Sequence, residues 1–480
     1  MMERFDKSYF DEGGAVAPGP DMVDKRPGYT AAMRWLLLFC AVIGMVFAFV
    51  LFSNENLLHG GDKINIMLCY GMFWLAYLAA FYYACWHRAG KNLPAWLIAL
   101  SSIWFVLRPF VYKEHALYII NFIALPLMLM LHAVIVSFDI PQERELYGLL
   151  AWIKGWFIAP FVRIGRFFGC IGSLARAGGD AKRASSVRIG LLIGLPMVVV
   201  AALLLINADA ALRFYVKDSL NSAESVIARA ITAFIIAMLF YSFIFYMAYD
   251  KPKIESRPYS RIIPSAAAVT ALMMLLVLYA VFAAFQFTYL TGLKGLPEGM
   301  TYSEYAVHGF SELCTVGCLN IAVFIILNTF SAKSKGLAAC LCALMACTVA
   351  LVFCAGFRLY MYIEAYGLTV RRILSLWFMA ALLVFAVICI VKLYAPRLRL
   401  LRTMAVAFVA LYMLLNLLNI DAIIAKTVLG RADATGYMSE EDALYLKYEL
   451  SSDAAPVIEQ SERWRERIQN AYSVPDGKHE

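Results

Sequence analysis

Apolar blocks of about twenty residues recur along this chain from Ala32 to Ile420, separated by short polar gaps. A block of this length is what an α-helix needs to cross the roughly 30 Å hydrocarbon core of a bilayer. Hydrophobic residues make up 62% of the chain and charged residues 16%, so one soluble core could not bury the apolar surface. The pattern predicts an all-α fold, a polytopic transmembrane helix bundle.

The apolar blocks predict about eleven spans, counted by length and hydropathy. They lie near residues 32–52, 64–85, 94–111, 117–138, 189–206, 230–248, 263–289, 312–330, 336–357, 373–391 and 403–420. The first block is too long for the apolar region of a signal peptide, and no small-residue cleavage pattern follows it. It is therefore expected to remain as an anchor.

Lys and Arg collect on one side of the predicted spans. The loops on that side carry more than half of the 42 Lys and Arg residues. The positive-inside rule places this side, with the N-terminus, in the cytoplasm. With an odd number of spans, the tail after Ile420 is expected outside.

This topology divides the chain into five parts. They are a polar cytoplasmic segment at 1–31, four spans at 32–138, a basic amphipathic cytoplasmic segment at 139–188, seven spans at 189–420 and an extracytoplasmic, short C-terminal helical tail at 421–480.

The cytoplasmic segment contains apolar residues at helical spacing from Leu146 to Phe157, before Pro160 interrupts the pattern. Its charges and two Trp residues favour a helix lying on the inner leaflet among anionic lipids. A re-entrant or partial span is the alternative. Residues 171–186 are rich in Gly, Ala, Ser and basic residues, which predicts a flexible linker.

The tail carries helix-start signals of its own. Ser439 precedes three acidic residues, a capping-box-like start of a short helix, and Ser452 or Asp453 is expected to cap a second helix. Trp464 lies among three arginines. It is interpreted as part of a solvated helix face, with contact to the membrane surface as the alternative.

Five polar residues near the outer ends of the C-terminal spans form a candidate ligand-binding site. They are Glu312, Arg358, Glu364, Asn419 and Asp421. Such groups are costly in lipid unless they face the bundle interior or pair with each other, so they are predicted to converge on one outward-facing pocket. The pocket would be a ligand site or a structural clamp between helices. Arg108, in an outer part of the third span, is expected to extend toward the headgroups.

A weaker metal candidate lies just before this cluster. Glu304, His308 and Glu312 are four residues apart, which places an imidazole and two carboxylates on one helix face. Because the stripe lacks a known metal-binding spacing, an ordinary interfacial helix start is the preferred interpretation. The sequence predicts no metal, no cofactor and no catalytic residue.

Several segments together resemble a known family. They are Gly190–Pro196 with Asn207–Asp209, Tyr289–Leu290, Leu296–Tyr305 with Gly309–Phe310, Arg358–Thr369 with Arg371, Asn419–Ala425 and Leu450–Pro456. Over roughly residues 185–460 the chain resembles DUF4173, a domain of unknown function within the broader DUF4153 group of bacterial multi-pass membrane proteins. The family commonly has Pro where this chain has Ile420. The resemblance implies a bacterial plasma-membrane protein with a helical tail, and it supplies no activity or site residue.

Two functional hypotheses follow. A transporter or permease for a small solute would use the polar cluster as its site. Alternatively, a signalling or assembly scaffold would contact a partner through 139–188 or the tail. An enzyme is disfavoured because no catalytic motif is found, and the dispersed net charge of +8 argues against nucleic acid. The lipid bilayer and anionic inner-leaflet lipids are the expected partners, and the sequence identifies no protein partner.

Overall fold

The structure is a computed structural model that describes residues 30–53, 63–176, 210–249, 259–290 and 310–471. Within these ranges the chain is helical, and its one β-type contact is an isolated bridge between Ile263 and Ser331. This confirms the all-α fold.

The helices of the described ranges follow in chain order, with a 3-10 turn at Gln142–Arg144, a π-turn at Tyr445–Glu449 and a 3-10 turn at Ser452–Ala454. They are α1 (Ala31–Ser53), α2 (Lys63–Ala89), α3 (Leu93–Val111), α4 (His115–Ser137), α5 (Leu146–Phe157), α6 (Ala159–Val162), α7 (Ile164–Arg176), α8 (Ala210–Tyr249), α9 (Ser265–Leu290), α10 (Phe310–Phe330), α11 (Lys335–Tyr366), α12 (Val370–Tyr394), α13 (Leu400–Leu417), α14 (Ile420–Thr435), α15 (Glu440–Leu444), α16 (Ala455–Glu459) and α17 (Glu462–Gln469).

Nine of the helices in the described ranges are long and apolar enough to cross a membrane: α1, α3, α4 and α8 to α13. Each coincides with a predicted span. The predicted span at 64–85 lies within α2, a helix of 27 residues. The predicted span at 189–206 lies outside the described residues. The chain is therefore a multi-pass membrane protein.

The buried side chains form two hydrophobic cores. The first core joins α1 to α8 with the tail helices, and the second joins α9 to α12. Helix α13 belongs to both: Leu400 and Met404 lie in the second core, whereas Val409 and Tyr412 lie in the first. The two cores thus meet along α13.

A close helix crossing holds the first core together. Gly44 of α1 lies against the backbone of α8, so a Cβ at this position would overlap the carbonyl oxygen of Ala233. Small residues at such crossings let two membrane helices pack backbone to backbone.

The predicted amphipathic helix is α5, with the bounds Leu146–Phe157. Leu149, Leu150, Ile153 and Phe157 are exposed on one face, as an interfacial helix requires. The opposite face packs on α4, where a Cβ at Gly155 would overlap Met130 Sδ. Its depth in a membrane stays a prediction.

The linker predicted from residue 171 is wrong up to Arg176, because α7 continues to that residue. Phe167 of α7 is buried against Phe234 and Tyr241 of α8, and this packing favours a helix over a solvated linker. The remaining linker positions, 177–186, lie outside the described residues.

The tail is a small helical unit packed on the bundle. The predicted cap is confirmed, since Ser439 Oγ accepts a hydrogen bond from the Asp442 N–H at 3.0 Å. The cap predicted at Ser452 or Asp453 is instead Ser451, whose Oγ accepts from the Asp453 N–H. The interpretation of Trp464 as solvated is wrong: its side chain is buried, and its indole N–H donates to Asp433 Oδ1 at 2.7 Å.

Candidate functional site

An apolar cleft of about 930 Å³ lies where the two cores face each other. Its walls come from α4, α5, α10, α12 and α13. A cavity of this volume is in the range of sites that hold a small organic molecule. We refer to it as the inter-core cleft.

The walls of the cleft consist of side chains that recur at helical spacing. The side chains of Ile120, Ile123, Leu127 and Leu131 on α4, with Phe138 directly after the helix, recur at spacings of three, four and seven residues, so they form a stripe along one face. At a rise of 1.5 Å per residue, this stripe is about 27 Å long.

On α13, Leu401, Ala405, Phe408 and Tyr412 form a shorter stripe of about 17 Å at the same rise. Ile325 of α10 and Phe385 of α12 contribute from the second core. The cleft is therefore long, narrow and apolar, and it extends through roughly half of a 30 Å hydrocarbon core or more.

Charged groups are concentrated at one end of the cleft. Arg399, Arg402 and Glu145 all line this end, which we call the basic end. It lies at the start of α13 and in the connection before α5, on the side predicted to be cytoplasmic.

The two arginines make few strong contacts with protein carboxylates. Arg402 donates from Nη2 to Asn92 Oδ1 at 2.9 Å, a neutral acceptor. Arg399 Nη2 lies 4.0 Å from Asp139 Oδ1, and the Asp139 side chain is 93% exposed. An exposed pair at this distance contributes little. The basic end therefore offers positive charge to an incoming anion.

The side chain of Glu145 contacts the first turn of α13. Its Oε2 accepts a hydrogen bond from the Leu401 N–H at 3.3 Å, and this bond satisfies one of the N–H groups that a helix N-terminus leaves without an intrahelical partner. Burial raises the pKa of Glu145, while Lys392, the N–H groups of Leu401 and Leu400, and Arg399 act in the opposite direction.

At the far end of the cleft, Tyr412 belongs to a buried polar network, which we call the α3–α4–α13 network. Tyr412 donates from its hydroxyl to Asn121 Oδ1 at 2.5 Å, and Asn121 donates from Nδ2 to Asn416 Oδ1 at 2.7 Å. Arg108 pairs with Glu114 at 2.9 Å and donates from Nε to the Asn416 carbonyl at 3.2 Å. Because these groups bond one another, this end presents apolar surface to the cleft.

The prediction that Arg108 extends toward the headgroups is wrong. Its side chain is 1% exposed. The reason is Glu114, which lies just before α4. Its carboxylate accepts a hydrogen bond from the Arg108 guanidinium, and it also caps α4 by accepting from the Leu117 N–H. A carboxylate six residues after the arginine was the signal that could have indicated this pair.

The five residues of the predicted pocket lie on three elements, and none of them lines the inter-core cleft. Asn419 caps α14 through the Ala422 N–H at 3.0 Å, and Asp421 accepts from the Ser451 N–H at 2.8 Å. Both side chains therefore accept hydrogen bonds from backbone N–H groups of the tail.

The other three lie on α10 and α11. Glu312 is exposed and accepts from the Ser311 hydroxyl at 3.0 Å. Arg358 is buried, and Glu364 is exposed near the end of α11. Convergence of the five on one pocket stays a prediction.

Two residues of the metal candidate, Glu304 and His308, lie outside the described residues. Among the described residues, no three His, Cys, Asp or Glu side chains lie close enough to hold a metal ion.

Glu145, Arg399 and Arg402 are not among the site residues predicted from sequence. The two arginines contributed only to the charge bias of the loops. A usable signal was present, because Arg402 is followed by the apolar stripe of α13.

Comparison with known proteins gives a family and nothing more. The model of a family described as "Domain of unknown function (DUF4153)" matches residues 93–461. The match begins earlier in the chain than the predicted resemblance, and it includes α3 and α4. Helix α4 lines the cleft, and both helices contribute to the α3–α4–α13 network. No curated protein and no solved structure matches the chain.

Proposed function

This chain belongs to the DUF4153 family, whose function is not established, and from the site itself we propose that it binds a phospholipid in the inter-core cleft. An acyl chain would lie along the stripes of α4 and α13. The phosphate would lie at the basic end, against Arg399 and Arg402. The observation that carries this proposal is one apolar cleft ending at two arginines.

The lining favours a lipid over a small polar solute. A permease site needs polar groups that replace the solute's water, because a buried polar group without a hydrogen bond is costly. The walls of the cleft are side chains such as Leu127, Ile325 and Phe408, and the α3–α4–α13 network is already engaged in its own bonds. The small-solute permease therefore has less support than a lipid site.

The arginines match a phosphate in charge and geometry. A guanidinium presents several N–H donors in a planar fork, which suits phosphate oxygens. Phospholipids of the inner leaflet would approach the basic end from the side where sequence places the cytoplasm of a bacterial cell. Lipid binding supports a role in lipid handling at the plasma membrane, with a non-catalytic scaffold as the alternative.

Removing the arginines tests the phosphate contact. We expect the double variant Arg399→Gln with Arg402→Gln to bind phospholipid at least about tenfold more weakly, because charge-assisted hydrogen bonds are lost. The measurement is native mass spectrometry of the full chain in detergent, titrated with phosphatidylglycerol. Arg397→Gln is the matched control, since Arg397 is exposed in the same loop and does not line the cleft.

Filling the cleft tests the acyl-chain contact. Ala405 lines the cleft, whereas Ala407 on the same helix does not. We expect Ala405→Phe to reduce lipid occupancy and Ala407→Phe to leave it unchanged. Full occupancy in both the Ala405→Phe protein and the double arginine variant would refute the proposal.

A further inference from the structure

The basic end contains one buried oxygen that its neighbours leave unused. Glu145 Oε2 accepts from Leu401 N–H, but Glu145 Oε1 is buried and has no hydrogen-bond partner among the described residues. A buried carboxylate oxygen is ordinarily hydrogen-bonded, by protein, water or ligand. Because Glu145 lines the cleft, a bound molecule can supply the missing donor.

The cations of the basic end direct their hydrogen bonds elsewhere. Lys392 Nζ donates to the carbonyl oxygens of Pro396 and Leu398. Arg402 donates to Asn92, and Arg399 lies near Asp139. Lys392 and Arg399 act on the charge of Glu145 without a hydrogen bond to Oε1, so Oε1 stays available as an acceptor.

We infer that the lipid headgroup is a phosphoethanolamine, with its phosphate at Arg399 and Arg402 and its primary ammonium donating to Glu145. This rests on the proposed function and specifies the headgroup that the same site takes. One short headgroup carries both charges, and the residues with the complementary charges, Glu145, Arg399 and Arg402, all line the basic end.

The chemistry of the amine gives the selectivity. A primary ammonium has three N–H donors, as in a lysine side chain, and pairs with a carboxylate through charge-assisted bonds. The quaternary ammonium of choline has no N–H, so it leaves Oε1 without a hydrogen bond. Successive methylation of the amine removes one donor at a time.

The experiment compares headgroups on one acyl composition. The purified full chain, stripped of lipid in detergent, is titrated by native mass spectrometry with phosphatidylethanolamine, its N-monomethyl and N,N-dimethyl derivatives, and phosphatidylcholine. We expect phosphatidylethanolamine to bind about tenfold more tightly than phosphatidylcholine, with the methylated lipids between them.

Glu145→Gln is the decisive variant. We expect it to bring the ratio between the two lipids close to one, while Glu143→Gln, an exposed neighbour that does not line the cleft, keeps the wild-type ratio. A wild-type ratio near one, or a ratio unchanged by Glu145→Gln, overturns the headgroup inference. If binding is still weakened by the double arginine variant, the lipid site itself stands. If neither lipid binds at all, both the inference and the proposed function fail.

Discussion

At the scale of single residues, the buried pair of Arg108 and Glu114 is held by several bonds at once. Burying two charges is costly, and the pair persists because each member makes further hydrogen bonds. Arg108 donates to the Asn416 carbonyl, and Glu114 accepts from the Leu117 N–H. The pair thus connects the turn between α3 and α4 to the end of α13.

Removing one member of the pair should destabilise the protein more than removing both charges. We expect Arg108→Gln to destabilise the protein by about 3 kcal/mol, because an uncompensated carboxylate is left buried. The double variant Arg108→Met with Glu114→Gln should recover much of this loss, since Gln keeps an oxygen for the Leu117 N–H. Thermal unfolding in one detergent measures both proteins, and a double variant less stable than Arg108→Gln would contradict the argument.

Glu145 makes a pH-dependent contribution with a defined sign. Burial raises its pKa in the folded protein, against the opposing effects of Lys392, the N–H groups of Leu401 and Leu400, and Arg399. The protonated form is therefore favoured by folding. This contribution is fully present below the unfolded pKa of about 4.3 and is lost as the pH rises through the higher folded pKa.

We therefore expect Glu145→Gln to raise the thermal stability of the lipid-free protein at pH 7 relative to wild type. The difference should shrink as the pH falls toward 4, because wild-type Glu145 then takes up its proton. Melting curves of both proteins across this pH range provide the test, with Glu143→Gln as the control. A stability difference that grows on acidification would show that the sign is wrong.

At the scale of helices, close packing decides which pairs meet. The crossing of α1 and α8 at Gly44 brings a backbone carbonyl to where a Cβ would be. Helix α5 uses Gly155 in the same way against Met130, whose flexible side chain can move. The crossing at Gly44 is therefore less tolerant of an added side chain than the contact at Gly155.

Gly44→Ala should separate α1 from α8. We expect a loss of roughly 2 kcal/mol, in the range that overpacking costs, despite the better helix propensity of Ala. Gly172→Ala in α7 is the matched control, because nothing lies within 4 Å of its Cβ position. It should be neutral or slightly stabilising. Equal melting temperatures for wild type and Gly44→Ala would argue against this close crossing.

At the scale of the whole molecule, the tail and the basic end lie on opposite sides of the bundle. The Lys113 N–H donates to Asp453 Oδ2 at 2.6 Å, so the tail packs on the turn between α3 and α4. Helix α4 then crosses to the connection that carries Glu145. The lipid headgroup and the tail would thus face different compartments.

The charge bias of the loops predicts which compartment is which. An alkaline phosphatase reporter, active only outside the cytoplasm, should be inactive after Lys335 and active after Tyr437. The two fusions control for each other's expression. The reverse result would place the basic end outside and remove the inner leaflet as the source of the lipid.

The sequence by itself determined where the long helices lie and that lipid surrounds them. In lipid every backbone polar group must bond within its own segment, so a long apolar block has to be a helix. For that reason the bounds of α3, α4 and α10 lie within a few residues of the predicted spans. The α5 helix and the Ser439 cap were predictable as well, because both depend on neighbours along the chain.

Only the tertiary structure decided which faces meet. Glu145 and Arg402 lie far apart in sequence, and no periodicity relates them. The fold brings them together, because Glu145 Oε2 accepts from the Leu401 N–H at the start of α13 and both residues line the cleft. The same is true of Asn121 with Asn416, and of Trp464 with Asp433. Periodicity shows that a helix has an apolar face but does not specify its partner, since one apolar face packs on another or on lipid with similar energy. The cleft exists because two separately packed cores meet along α13, and that arrangement belongs to the folded chain.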